Sequence, residues 1–185
     1  MAKNKNNAVM HGMSGKINIV VFRQRNGETI ASMIPKEIQG MSPKQETIRL
    51  TFKDAARYAK AVITDPALKL EYELRTKPGQ TAYNLAIADF FKAPVIGEID
   101  NTGYSGQTGS TIKVPVTDDF KVVSVKVKIE NTDGTLVEEG DAILQNDGLH
   151  RTYTSTQTNS SLTGDIITVT AFDMPGHASI KQKTM

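Results

Sequence analysis

The sequence predicts an α+β fold, with an N-terminal β-hairpin and two or three helices followed by a C-terminal all-β sandwich. Apolar residues recur at helical spacing between residues 42 and 92, whereas after residue 95 they alternate with polar residues in short runs. Turn signals in that second part follow one another about every 8–12 residues, as in β-sandwiches. The predicted divisions are a polar N-terminal arm over residues 1–15, an α+β region over 16–92 and the sandwich over 95–185.

The first predicted element is a β-hairpin over residues 16–34. Residues 16–25 alternate around Ile17, Ile19 and Val21, and Asn26-Gly27 separates them from residues 28–34. Asn-Gly between two apolar runs favours a hairpin because both turn positions need φ > 0. The polar arm before it shows no periodicity, and we interpret it either as a frayed terminus or as an arm that orders against a neighbouring subunit.

Three helical stretches are predicted next. Ser42-Pro43 begins the first, because Ser caps free N–H groups and Pro at the first helical position has its φ already set. Asp65-Pro66 interrupts it. Shorter helices are expected over residues 66–74 and 81–92, with Ala93-Pro94 as the boundary to the sandwich.

The sandwich is predicted from strict alternation and turn residues. Between residues 123 and 129, β-branched residues alternate with polar ones. Asp133-Gly134 and Asp147-Gly148 are typical turn pairs. Together these signals predict about seven short strands, as in a β-sandwich.

Charge and composition narrow the function classes. Residues 1–92 hold 15 Lys and Arg against 8 Asp and Glu, whereas residues 93–185 hold 7 against 12, although the net charge is only +2. This asymmetry favours two modules with different surroundings. The chain has no Cys, which excludes disulfides and thiolate metal sites. No apolar run reaches the roughly 18–20 residues of a membrane span.

The first residues resemble the basic start of a signal peptide, but no apolar stretch of about 7–15 residues follows them. We therefore expect that the chain is not exported by the general secretory route and that it is assembled in a cytoplasm.

The sequence indicates no enzyme and no cofactor. Gly103-Tyr104-Ser105-Gly106 is not a nucleophile motif, and no helix follows the glycines at 103, 106 and 109 to hold a phosphate. We interpret that segment as a flexible sandwich loop, or alternatively as a contact loop. The three histidines lie in separate segments, which favours surface turns over a catalytic triad: His11, His150 and His177.

Two sets of charged residues are candidates for binding. Acidic clusters at predicted strand ends are weak candidates for calcium, with solvated strand ends as the preferred interpretation: Asp118, Asp119, Glu138, Glu139 and Asp141. Four basic residues share one face of the first helix and are candidates for an interaction surface: Arg49, Lys53, Arg57 and Lys60. A solvated helix face is preferred there over nucleic-acid binding, because aromatic residues do not interleave with the cations.

Short motifs recur in order over about residues 12–63: Gly15-Lys16, Asn26-Gly27-Glu28, Arg49-x-x-Phe52 and Tyr58-Ala59-Lys60. Through them the N-terminal part resembles small proteins of unknown function from Bacteroidetes genomes and their phages.

The second half carries its own motifs: Val125-x-Val127-x-Ile129, Asp133-Gly134-Thr135 and Ile167-x-Val169-x-Ala171-x-Asp173. Through them it resembles the immunoglobulin-like domains of phage virion proteins.

These resemblances imply a structural protein of a crAss-like Bacteroidetes phage virion, assembled in the host cytoplasm. The expected role is a capsid decoration or auxiliary protein, or a neck or tail ring component. Residues 16–92 would dock to other virion proteins (capsid, portal or tail subunits), and we expect the chain to form a homo-oligomer. Two alternatives stay open: an adhesion module for a carbohydrate such as a host surface glycan, and a basic protein associated with nucleic acid.

Overall fold

The computed structural model describes residues 2–4, 10, 12–25, 27–34, 40 and 42–185. It confirms a mixed α+β fold, with three helices and twelve strands in these residues. The chain forms two compact units. Unit 1 comprises Met1–Phe52 and Lys77–Gln80, and unit 2 comprises Lys53–Thr76 and Thr81–Met185.

Unit 1 contains a four-stranded antiparallel sheet. Its strands are β1 (Ala2–Asn4), β2 (Gly15–Ile17), β3 (Val20–Arg25) and β4 (Glu28–Met33), in the order β1-β4-β3-β2. The predicted hairpin is confirmed, since Arg25 pairs with Glu28 across the turn and Gly27 has φ 77°. Asn26 and Pro35 lie outside the described residues.

The N-terminal arm departs from the prediction that it lacks regular structure. Ala2–Asn4 pairs with β4 of the same chain, with Ala2 opposite Ala31. A strand of three residues is too short to show alternation, so its pairing comes from the open edge of β4 and not from a sequence pattern.

The helices begin where the capping residues predict. They are α1 (Pro43–Thr64), α2 (Pro66–Glu73) and α3 (Ala82–Phe90). Ser42 and Gln45 form a reciprocal capping box, in which the Gln45 N–H donates to Ser42 Oγ (3.3 Å) and the Ser42 N–H donates to Gln45 Oε1 (2.9 Å). The side-chain oxygens of Asp65 and Thr81 cap α2 and α3 by accepting backbone N–H groups of the first helical turn.

Unit 2 contains two four-stranded antiparallel sheets. The first has the order β5-β6-β10-β9, with β5 Val95–Ile96, β6 Thr111–Thr117, β9 Ile143–Leu144 and β10 His150–Thr154. The second has the order β12-β11-β7-β8, with β7 Val122–Glu130, β8 Leu136–Asp141, β11 Ile166–Asp173 and β12 Ala178–Thr184. Turns lie at the predicted Asp133-Gly134 and Asp147-Gly148 positions.

One hydrophobic core joins the two sheets, because the inward residues of both belong to the same buried cluster. Ile112, Val114 and Val116 come from β6, and the alternating residues of β7 and β11 belong to the same cluster: Val125, Val127, Ile129, Ile167, Val169 and Ala171. Burial of these side chains at about 25 cal/mol per Å² is the main stabilising term of unit 2.

A second buried cluster joins the helices of unit 2 to its β6–β7 loop. Tyr72 of α2 and Ala86 of α3 pack with Ala59 and Val62 of α1 and with Phe120. The compact units divide α1 between residues 52 and 53 and assign Lys77–Gln80 to unit 1, whereas the composition change predicts a boundary at Ala93-Pro94. No helix in the described residues is long and apolar enough to cross a membrane.

Candidate interaction surfaces

The sheet of unit 1 has two chemically different faces. Directly opposed residues of antiparallel strands point to the same side, so the register assigns each residue to a face. One face carries apolar side chains from three strands: Ile17, Val20, Phe22, Ala31 and Met33. The opposite face carries all charged residues of β2, β3 and β4: Lys16, Arg23, Arg25 and Glu28.

Unit 1 has almost no interior of its own. Thr29 is its only buried residue in the part that the structure describes. Ile17 is 55% exposed and Met33 is 70% exposed, although both belong to the apolar face. A small sheet with one apolar face needs a covering layer for stability. This face is therefore the strongest candidate for a surface that contacts another protein.

The apolar side of helix α1 is buried near its C-terminal end and exposed near its N-terminal end. Ala55, Ala59 and Val62 lie on one stripe and are buried in unit 2. Ile48 continues that stripe by one further heptad step and is 57% exposed. The apolar stripe thus extends beyond the core that covers its C-terminal part.

The four basic residues predicted to share a face of α1 are all exposed: Arg49, Lys53, Arg57 and Lys60. Arg57 forms an ion pair with Asp54 at 3.5 Å, in which both side chains are mostly exposed. An exposed pair of this kind contributes little to stability. This basic face of α1 is thus exposed to solvent in the structure.

A buried polar cluster lies among the helices of unit 2. The Tyr72 hydroxyl donates to Asp89 Oδ2 (2.5 Å) and lies 2.7 Å from the Tyr58 hydroxyl. Tyr72 is fully buried and Asp89 is 2% exposed. The second carboxylate oxygen of Asp89 has no hydrogen-bond partner among the described residues. Burial also raises the pKa of the Tyr72 hydroxyl, and the hydrogen bond to Asp89 raises it further.

Burial raises the pKa of the Asp89 carboxyl to about 6. The Tyr72 hydrogen bond lowers the pKa, the Asp118 and Asp173 carboxylates raise it, and His177 lowers it. Because Asp89 and Tyr72 are both sealed in the core, the cluster is suited to a structural role that depends on protonation, and a substrate has no access to it.

Glu138, one of the calcium candidates, is a buried acceptor of hydrogen bonds from the protein. Its Oε2 accepts from the Tyr153 hydroxyl (2.7 Å), the Thr156 N–H (2.8 Å) and the Gln157 N–H (3.3 Å). Burial alone would raise the pKa of Glu138, but these hydrogen bonds together lower it below its ordinary value.

The other calcium candidates lie apart from Glu138. Asp118 Oδ2 accepts the N–H groups of Phe120 and Lys121, and Asp119 pairs with Lys92. Glu139 and Asp141 are exposed on β8. Within the described residues, no three His, Asp or Glu side chains are placed to hold a metal ion together.

The glycine-containing loop before β6 packs against the segment that follows β10. The Asn159 N–H donates to Gly106 O (2.8 Å), and the Gly109 N–H donates to Ser155 O (2.8 Å). Gly106 has φ 75°, and a Cβ there would lie 2.3 Å from the Asn159 carbonyl oxygen. Only glycine fits this approach. Gly106 thus has a packing role, which the sequence interpretation as a flexible loop did not include.

Two histidines each contact an Asp: His150 is the first residue of β10, not a turn residue as predicted, and His177 lies in the predicted turn segment between β11 and β12. His150 Nδ1 is 2.6 Å from Asp147 Oδ2, and His177 Nδ1 is 3.0 Å from Asp173 Oδ2. Backbone hydrogen bonds from Leu149 and His150, with the His150 side chain, lower the pKa of Asp147 to about 2. His11 lies outside the described residues.

Comparisons with known proteins give no family. No family model matches the chain, and no curated protein matches it. A solved structure of an engineered protein is similar over 56% of this chain, with 20% identity and a TM-score of 0.36. The chain spans a quarter of the length of that engineered protein, since the match covers 25% of it.

Proposed function

We propose that the protein is a non-enzymatic structural subunit of a multi-copy assembly, of the kind that builds phage virions. Unit 1 docks to neighbouring subunits, and unit 2 projects from the assembly. The observation that carries this proposal is the apolar face of the unit 1 sheet, on which Ile17 and Met33 are exposed and three further apolar residues are only half-buried: Val20, Phe22 and Ala31. Such a face gains stability when another protein covers it.

We also infer that the two sheets of unit 2 form an immunoglobulin-like sandwich. Assigning the letters A, B, C, C′, D, E, F and G to β5 through β12 gives the sheets A-B-E-D and G-F-C-C′. The constant-type immunoglobulin domain has sheets A-B-E-D and G-F-C, and strand C′ extends the second of these in variable-type domains. The shared core between the sheets supports the same inference.

Lysines on the edge strand β12 oppose its pairing with strands of other molecules, which suits a domain that projects from an assembly. Lys181 and Lys183 of β12 donate to the backbone carbonyls of Gly97 and Ile99 (2.7 Å each). The proposed assembly therefore forms through unit 1, and β12 is guarded against edge-to-edge association.

Light scattering on the purified full chain tests the docking role. We expect the wild type to be an oligomer at micromolar concentration. The double variant Ile17→Ser, Met33→Ser should have a Kd of self-association about tenfold higher or more, because it buries less apolar surface on association. Ile180→Ser is the matched control, since Ile180 is 66% exposed on β12 of unit 2. The proposal would be contradicted if the wild type were a monomer at about 100 μM, an order-of-magnitude limit for weak association. It would also be contradicted if the double variant associated like the wild type.

Mass spectrometry of phage particles that encode the chain tests its place. Hundreds of copies per particle would identify a capsid decoration protein, and about a dozen would identify a neck or tail ring. Absence of the chain from purified particles would refute the virion role while leaving the light-scattering result to decide on self-association.

A further inference from the structure

A cleft of about 290 Å³ opens on the surface of unit 2 beside the β6–β7 loop. Arg75 and Arg151 contribute to its lining, together with the apolar side chains of Leu144 and Leu149. Its volume is near the lower end of the roughly 300–1,000 Å³ that small-molecule sites occupy. Nothing in the proposed docking role of unit 1 uses this cleft.

Arg75 is held in a fixed orientation. Its guanidinium lies 4.6 Å from the centre of the Phe120 ring, and it donates a hydrogen bond to the Phe120 backbone carbonyl. Phe120 is itself stacked on Tyr72, with ring centres 3.8 Å apart and planes 2° from parallel. Because a guanidinium has five N–H donors in a rigid plane, a fixed Arg presents its other donors in a defined direction.

Arg151 is similarly fixed and is partly buried. Its NH2 group donates to the Val122 carbonyl oxygen at 2.8 Å. Burial lowers the pKa of its guanidinium. In the described part of the chain, neither Arg75 nor Arg151 forms an ion pair with a carboxylate, whereas the neighbouring Lys121 pairs with Glu71 at 2.5 Å. A partly desolvated cation without an acidic partner favours an anion from outside.

The remaining lining residues fit an anion that also has an apolar part. Leu144 is 48% exposed and Leu149 is 38% exposed, and both border the cleft. Asp118 is the acidic residue of the lining, and its Oδ2 accepts the N–H groups of Phe120 (3.2 Å) and Lys121 (2.8 Å). Oδ2 is thereby engaged with its own loop, whereas Oδ1 is buried and has no hydrogen-bond partner among the described residues.

We propose that this cleft binds a small anion, whose carboxylate or phosphate group contacts Arg75 and Arg151 and whose apolar part contacts Leu144 and Leu149. Guanidinium groups bind both oxyanions through paired N–H donors. The two arginines determine the charge of the ligand, and the two leucines favour an organic anion over inorganic phosphate.

NMR titration of the full chain with benzoate, phenyl phosphate, inorganic phosphate and benzyl alcohol tests the site. We expect saturable shifts of the residues around the cleft with benzoate or phenyl phosphate, weaker binding of inorganic phosphate, and no saturation with benzyl alcohol. Stronger binding of benzoate would identify the natural group as a carboxylate, and stronger binding of phenyl phosphate would identify it as a phosphate.

Variants then assign the binding to named residues. Arg75→Gln and Arg151→Gln should each weaken binding about tenfold or more, as loss of a charge-assisted hydrogen bond predicts. Leu149→Ser should weaken the aromatic anions and leave inorganic phosphate unchanged. Lys69→Gln is the control, since Lys69 is an exposed cation of α2 whose ion-pair partner is Glu73.

Three results would overturn the proposal. The first is absence of saturation by every anion at millimolar concentration, and the second is equal binding of benzyl alcohol and benzoate. The third is unchanged affinity in the folded variants, with folding checked by circular dichroism. If one Arg variant does not fold, the other Arg variant and Leu149→Ser decide the question.

Discussion

Replacing Asp89 with Asn is expected to raise the free energy of unfolding at pH 7 by about 1–3 kcal/mol. The Asp89 carboxyl is 2% exposed and its pKa is raised to about 6, so folding at pH 7 places a charge in the interior. Asn has the same shape and still accepts the hydrogen bond of Tyr72. It also carries no charge to desolvate or to oppose Asp118 and Asp173.

The effect should depend on pH with a definite sign. Because the folded-state pKa of Asp89 lies above its ordinary value of 3.8, the folded protein binds the proton more tightly than the unfolded chain does. The contribution of Asp89 to the free energy of unfolding is therefore fully present below about pH 4 and is lost as the pH rises to about 6. The Asn variant lacks this loss, so its advantage should be near zero at pH 4 and complete at pH 7.

Urea unfolding of both proteins between pH 4 and pH 8 measures this difference. Asp119→Asn is the matched control, because Asp119 is an exposed carboxylate that pairs with Lys92. Its effect should stay within about 0.5 kcal/mol at every pH. If the difference in free energy of unfolding between Asp89→Asn and the wild type were the same at pH 4 and pH 7, the raised pKa of Asp89 would be contradicted.

The strands and helix starts could be predicted because their determinants are local. The alternation of β7 places Val125, Val127 and Ile129 on one face whatever the rest of the chain does, and Ser42 caps α1 through a residue three positions away. Such patterns need no knowledge of tertiary contacts. The two faces of the unit 1 sheet likewise follow from the hairpin register once the Asn26-Gly27 turn is assigned.

The buried clusters could not be predicted in the same way. Tyr72 and Asp89 are 17 residues apart on different helices, and nothing in either helix specifies which residues will face each other. Asp173 and His177 flank a turn, where no fixed spacing predicts contact. The alignment of two elements is set by packing, which a single sequence shows only through its periodicity.

Glu138 could not be placed by counting from the turn. Regular pairing continued from Glu130 and Leu136 would set Val137 opposite Ile129, but a register shift between Ile129 and Glu130 sets Glu138 opposite Ile129, an inward residue of β7. The adjacent Glu139 then points outward. The sequence interpretation treated both as solvated acids because the pair was considered as an acidic cluster and not as two positions on opposite faces.

Replacing Glu138 with Ala is expected to lower the free energy of unfolding at pH 7 by about 3–5 kcal/mol. Glu138 is 5% exposed, and its Oε2 accepts hydrogen bonds from Tyr153, Gln157 and the N–H and hydroxyl groups of Thr156. Alanine leaves these donors without their acceptor and opens a cavity beside β8. Tyr153→Phe removes one donor only and should cost about 1 kcal/mol.

The pH dependence of Glu138 should be opposite to that of Asp89. Hydrogen bonds to its charged form hold the folded-state pKa of Glu138 below the ordinary value, so its contribution is present above that value and is lost as pH falls through the folded-state pKa. The cost of Glu138→Ala should therefore shrink on acidification, because the protonated Glu138 side chain no longer stabilises the folded protein, whereas protonation of Asp89 restores its contribution to stability. Glu139→Ala is the neighbouring exposed control and should stay within about 0.5 kcal/mol. Equal costs for Glu138→Ala and Glu139→Ala at pH 7 would show that the buried acceptor does not hold β8 and the segment after β10 together.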